Sequence, residues 1–161
     1  MVTVLTSPEA VTDIRGVVIQ TEAAQLLLPN ATISEVLSYA DPEPVANAPD
    51  WLLGRLRWRG WRLPLVAFAP LAGLGAEQGG LGSKVIVLKA LSGNALVPYF
   101  ALLIKGFPRL VTISRASLIE ETDPGEVLPA GVLARVRLND NPAYVPDVDG
   151  IEAAIKAALS A

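Results

Sequence analysis

The side chains best suited to recognition are concentrated in one short stretch: Arg55, Arg57, Trp58, Arg59, Trp61 and Arg62. On a strand, Arg55 and Arg57 project to one side about 6.8 Å apart, at a rise of roughly 3.4 Å per residue. Like charges so close repel modestly in water, so the pair is either a plain solvated face or awaits an acidic partner. A basic strand with Trp58 or Trp61 as stacking platforms is also what a small β-barrel binder of nucleic acid would use. The net charge of −3 over the 161 residues argues against that use. The tryptophans are read mainly as core, although Trp is common among the residues that dominate protein interfaces.

Bond-making chemistry is poorly supplied. The chain has no Cys and no His. Disulfides, the usual zinc sites and Cys- or His-dependent nucleophilic catalysis are thereby excluded, and the commonest general acid–base side chain is missing. Asp140, Asp147 and Asp149 cluster near the C-terminus as a carboxylate hydrolase would require, but they stand beside turns and a helix start, where Asp is expected for local hydrogen bonds. Residues 71–83 contain Gly73, Gly75, Gly79, Gly80 and Gly82, yet lack the Lys-Ser or Lys-Thr pair and the spacing of a phosphate-binding loop. They read as a linker. No catalytic residue, metal ligand or cofactor is expected, and the chain reads as a non-enzyme.

The elements that must position the basic stretch are strands. Hydrophobic residues make up 52% of the chain, enough to bury one domain's core. Val17-Val18-Ile19 and Leu26-Leu27-Leu28 flank a four-residue loop, and because these runs are continuous rather than alternating they predict strands covered on both faces. Residues 33–37 predict a strand with Ile33, Glu35 and Leu37 on one face and Ser34, Val36 and Ser38 on the other. Asp41-Pro42-Glu43-Pro44 is a stiff loop. Pro49 opens a short helical turn over 50–53 that Gly54 ends, and two antiparallel strands follow, joined at Arg59-Gly60.

The second half repeats the style of the first. Strands are predicted over 85–88 and 95–104 around a Ser92-Gly93-Asn94 turn, with Pro98 at an edge or bulge, then over 110–113. An acidic loop occupies 120–125. An alternating strand over 132–138 carries Leu133, Arg135 and Arg137 on one side and closes a hairpin at 139–142 onto Tyr144. Residues 150–160 form the one clear helix, with Asp149 as N-cap, Glu152 as its box partner, and Ile151, Ala154, Ile155, Ala158 and Leu159 as its apolar stripe. The longest uncharged run, between Lys89 and Lys105, is broken by Gly93, Asn94 and Pro98 and is expected to be a hairpin rather than a membrane span. The first ten residues hold no basic side chain, so no secretory signal is expected and the chain reads as cytoplasmic.

Asn47, Pro49, Gly54, Arg59, Gly60, Pro64 and Val66 follow, in order and spacing, the signature of the CheW-like coupling proteins of bacterial chemosensory arrays, which this chain resembles. Arg57, Trp58 and Ala67 stand where that family has Asn, Leu and Asp, and Lys105 stands where it commonly has Asp. The segment around Glu35, Leu138-Asn139-Asp140 before the last strand, and the final helix extend the resemblance over nearly the whole chain.

The resemblance implies an all-β fold of two SH3-like five-stranded barrel lobes within one domain over 1–161. Lobe one would span about 14–72, a Gly-rich linker about 73–83, lobe two about 84–148, and the helix about 150–160. It further implies a non-enzymatic adaptor that binds the regulatory domain of a CheA-type histidine kinase and the tip of a methyl-accepting chemoreceptor, with self-association or contact with other CheW-like proteins, in chemotaxis or type IV pilus control. Ile33, Glu35, Val36, Arg57, Trp58, Arg59 and Gly60 would form the partner-binding set, membrane association would come only through receptor arrays, and nucleic acid is not an expected partner.

Overall fold

Continuous apolar runs fold as strands only if both faces are covered, and the arrangement of the sheets meets that demand. The computed structural model describes residues 13–90 and 98–160. Residues 1–12, which the sequence leaves as a loose arm or a first edge strand, and the predicted Ser92-Gly93-Asn94 turn with residues 95–97 lie outside the described residues. The element order is β1 (Ile14–Gln20), β2 (Gln25–Pro29), a 3₁₀ turn (Asn30–Thr32), β3 (Ile33–Ser38), β4 (Leu52–Trp58), β5 (Trp61–Val66), α1 (Phe68–Leu71), β6 (Ser83–Lys89), β7 (Tyr99–Lys105), β8 (Arg109–Ile113), β9 (Leu118–Glu120), β10 (Val132–Leu138), β11 (Asn141–Pro146) and α2 (Val148–Ser160). One sheet runs β8-β1-β2-β11-β10-β9 and the other β3-β6-β7-β5-β4.

Each sheet curls around its own apolar cluster. Leu56, Trp58, Leu63, Leu65, Val85, Val87, Ala101 and Leu103, joined by Leu37 and Tyr99, draw on all five strands of the second sheet. Val18, Leu27, Val136, Leu138 and Ala143, joined by Val111, Ile113 and Leu118, draw on all six of the first. The alternate residues of the same strands meet between the sheets: Val17, Ile19, Leu26 and Leu28 from one, Ile86, Leu88, Phe100, Leu102 and Ile104 from the other, with Phe68, Ile151 and Ile155 of the helices. A strand with core on both sides has no polar face to alternate with. Two all-β lobes share one seam, and the six-stranded lobe exceeds the expected five by the short β9.

The halves of the chain are a structural repeat. Residues 51–71 and 131–151 adopt the same succession of turn, bulged strand, two-residue turn, strand and helix start. Both hairpins carry a register shift near their start, at Leu52/Gly54 and at Val132/Ala134. Both close through two residues at positive φ, Arg59 and Gly60 at 49° and 82°, and Asn139 and Asp140 at 49° and 68°, as the favoured right-twisting hairpin turn requires. Ala67 N–H donates to the Trp51 carbonyl and Asp147 N–H to that of Gly131, both at 2.8 Å.

Yet the sheets are not the two successive halves of the chain. β1 and β2 of the first half join β8–β11, while β6 and β7 of the second half join β3–β5. The parallel contacts Tyr144↔Leu26 and Leu65↔Ala101, with the antiparallel pairs β1–β8 and β3–β6, make these joins. A boundary in the Gly-rich segment therefore divides the repeat but not the lobes, because the hairpins are exchanged across it.

Three local expectations are corrected. Gly54 ends no helical turn: residues 50–51 are a simple turn, and Gly54 lies inside β4 directly after the bulge, at φ 146°. There the backbones of Glu43 and Arg55 bond reciprocally at 2.9 and 2.8 Å, and any Cβ on Gly54 would run into the Glu43 carbonyl. A second bulge, between Ile33 and Glu35, moves Ile33 from the face of Leu37 to the seam beside Val36. The N-cap of α2 is Asp147, whose Oδ1 accepts from Gly150 N–H at 3.0 Å. Asp149 lies within the first turn, and Glu152 is buried and pairs with Lys156 at 3.2 Å.

Candidate functional site

β3 and β4 are the two free ends of the five-stranded sheet, and side chains close the gap between them. Glu35 of β3 accepts on one carboxylate oxygen from Trp58 Nε1 and from Arg59 Nη2, both at 3.0 Å. Arg59 also lies over the Trp58 ring, its guanidinium carbon 5.0 Å from the centroid, an arrangement attractive to a cation. Tyr99 meets the same indole edge-on at 5.0 Å. Trp58 is buried, so its N–H needs an acceptor, and Glu35 supplies it. A carboxylate between apolar neighbours on β3 is thereby explained: it serves the end of the barrel.

Of the expected partner-binding residues, the structure brings Glu35, Trp58, Arg59 and Gly60 together. Gly60 forms the turn, with open space around it. Ile33 and Val36 are half-buried against the shared seam. Arg57 alternates with Trp58 and so faces outward, opposite Arg62; both arginines lean on Glu43, at 3.7 and 3.5 Å. Trp51 is half-buried against the seam. Trp61 is 44% exposed, its ring 6.2 Å from that of Tyr99.

Three residues escaped sequence reasoning. Glu43, between two prolines, is the acid that serves the outer arginines. Tyr99 completes the aromatic end of the barrel. Glu77, in the Gly-rich segment, is buried and accepts from Glu22 N–H at 2.9 Å and Ala69 N–H at 3.2 Å; it pins that segment to the β1–β2 loop and to α1. A lone acid in a glycine-rich stretch was the available signal.

The other hairpin is neutralised more completely. Arg135 donates to both carboxylate oxygens of Glu126, at 2.9 and 3.2 Å, and to the Glu121 carbonyl at 2.8 Å. Arg137 donates to the Glu121 carboxylate at 2.9 Å. The hydrogen bonds from Arg135 hold the Glu126 carboxyl below the usual carboxylate range. Glu126 in turn raises Arg135, and Glu121 raises Arg137. The three C-terminal acids considered for hydrolysis have local duties: Asp140 sits in the β10–β11 turn, Asp147 caps α2 and Asp149 opens it. No helix of the described residues is long and apolar enough to cross a membrane.

Comparison with known proteins agrees with this architecture. No curated protein sequence gives a significant match. Among solved structures, the scaffolding protein TtCheW of Thermoanaerobacter tengcongensis superposes with a TM-score of 0.69 at 17% identity, over 83% of this chain and 88% of that one; at that identity the likeness speaks for the fold. The sequence model of the CheW-like domain matches residues 15–155. Two exchanged β lobes, the Arg59-Gly60 hairpin and a match over almost the whole length lead to one conclusion: the chain belongs to the CheW-like domain family.

Proposed function

We propose that this chain is a non-enzymatic coupling adaptor that joins the regulatory domain of a CheA-type histidine kinase to the tip of a methyl-accepting chemoreceptor, in chemotaxis or in type IV pilus control. The observation that carries the reading is the exposed Glu35–Arg59 pair beside a rigid hairpin turn. It presents both signs of charge at a lobe end built on a packed aromatic base. Such rim charges select a partner and its register more than they add affinity, and an adaptor needs no bond-making group. Ile33 and Val36 supply adjoining half-buried apolar surface, and Arg57 a neighbouring positive charge. The adaptor works in the cytoplasm, reaches the membrane only through receptor arrays, and also contacts other CheW-like proteins.

Titration calorimetry with the cognate kinase's regulatory domain tests the proposal: a saturable complex is expected, and its clean absence overturns the reading. Of the two stacking platforms the nucleic-acid alternative could use, Trp58 is covered by Arg59 with its N–H engaged, and Trp61 is the one left open.

A further inference from the structure

The internal repeat supplies a control within the molecule. Arg55 and Arg135 occupy equivalent places, each preceding a second arginine on the first strand of a bulged hairpin. Each borders a groove formed by the start of the second strand and the start of the strand that joins it in parallel. In one lobe the groove is lined by Arg135, Asn141, Pro142, Gln25, Ala24 and Leu74. In the other it is lined by Arg55, Trp61, Arg62, Pro98, Tyr99 and Leu159, with a volume of about 110 Å³.

The two grooves differ in charge. Arg135 has its counter-ion built in, the bidentate Glu126. Arg55 is half-buried, and no acidic side chain lies within ion-pair distance of it among the described residues. The only acid paired on this outer face among the described residues, Glu43, is shared by Arg57 and Arg62. Three guanidiniums thus face one carboxylate, beside a half-exposed Trp61 and the Tyr99 ring.

We infer that the Arg55–Trp61–Arg62–Tyr99 groove is a docking site for an acidic peptide segment of another protein, whose carboxylate takes the place at Arg55 that Glu126 fills at Arg135. A guanidinium partly withdrawn from water gains most from a bidentate carboxylate. The flanking aromatic rings give the rest of the segment apolar area to cover. A second copy of this chain is a poorer occupant, because its acidic loop, residues 120–126, is folded back onto Arg135 and Arg137 through Glu126 and Glu121. The groove lies on the same hairpin as Arg59 but is lined by neither residue of the Glu35–Arg59 pair, and the inference stands whether or not the adaptor reading holds.

The test is fluorescence anisotropy of labelled hexaglutamate titrated with the full chain at about 50 mM salt, beside labelled hexaglutamine and a six-residue oligothymidylate. Hexaglutamate is expected to bind, to weaken as salt rises, and to lose roughly tenfold in affinity in Arg55→Gln and in Arg62→Gln, the size of one charge-assisted contact. Arg109→Gln, on exposed β8, is expected to leave binding unchanged. The backbone amide NMR signals of Trp61 and Tyr99 and the indole N–H signal of Trp61 are expected to shift on titration. Should Arg55→Gln fail to fold, Arg62→Gln and the NMR shifts decide. Absence of binding, binding indifferent to both substitutions, or equal affinity for oligothymidylate with the same arginine dependence overturns the inference. So does a concentration-dependent dimer abolished by Arg55→Gln, which would assign the groove to a second copy.

Discussion

A single oxygen of Glu35 holds both Trp58 and Arg59, each at 3.0 Å, and so ties the first strand of the five-stranded sheet to the last. One half of this clamp is buried and the other exposed, so its two bonds are expected to answer differently to mutation.

Glu35→Ala leaves the buried indole N–H of Trp58 without its acceptor and opens the gap between β3 and β4. A loss of about 1–3 kcal/mol is expected, read as an earlier urea midpoint. A midpoint equal to the parent's would show that the sheet ends are held by their apolar contacts alone.

Arg59→Ala removes only the solvated partner, whose side chain is 69% exposed. Exposed pairs contribute at most about 1 kcal/mol, so the melting temperature is expected to stay nearly constant while assembly with kinase and receptor weakens. A large drop in melting temperature would make Arg59 a structural residue.

Gly54→Ala forces a side chain onto the Glu43 carbonyl at a positive φ. Strain of this kind costs about 1–3 kcal/mol, and chemical denaturation is expected to register it. Gly60→Ala, in open space, is expected to cost less.

Asp147→Ala removes the side chain that caps α2 and is expected to cost about 1 kcal/mol; Asp149→Ala is expected to cost less. The opposite order of melting temperatures would restore the cap to Asp149.

Glu126 titrates below the usual range because Arg135 bonds its charged form. Its folded value is depressed, so its stabilising contribution is present above the unfolded carboxyl pKa and is lost as pH falls through the folded value. The gap in melting temperature between the parent and Glu126→Gln is expected to be present at pH 7 and to close as pH drops below about 4. A gap constant across that range would contradict the assignment.

The sequence allowed the strands and the hairpin turns to be read, because apolar runs and turn residues act over a few positions. Val17–Ile19 and Leu26–Leu28 announced a hairpin, and their lack of alternation announced core on both sides. What stayed hidden depends on partners far along the chain. Nothing local reveals that β6 and β7 pair with β3 and β5, or that the bulge at Ile33 turns that side chain to the seam. The acids Glu43 and Glu77 found their work only once the strands were placed. Of the site, Glu35 and Arg59 were each marked as recognition residues by the family resemblance. The engagement of the Trp58 N–H was not, since it needs both ends of the sheet in view.

The exchange of hairpins orders events on the ribosome. β1 and β2 leave the exit tunnel before the other described strands, but the strands that flank them, β8 and β11, are made only after the whole five-stranded sheet. That apolar hairpin must therefore wait without its final neighbours while the five-stranded sheet assembles beside it, which makes the nascent chain most in need of protection until β8 and β11 have emerged.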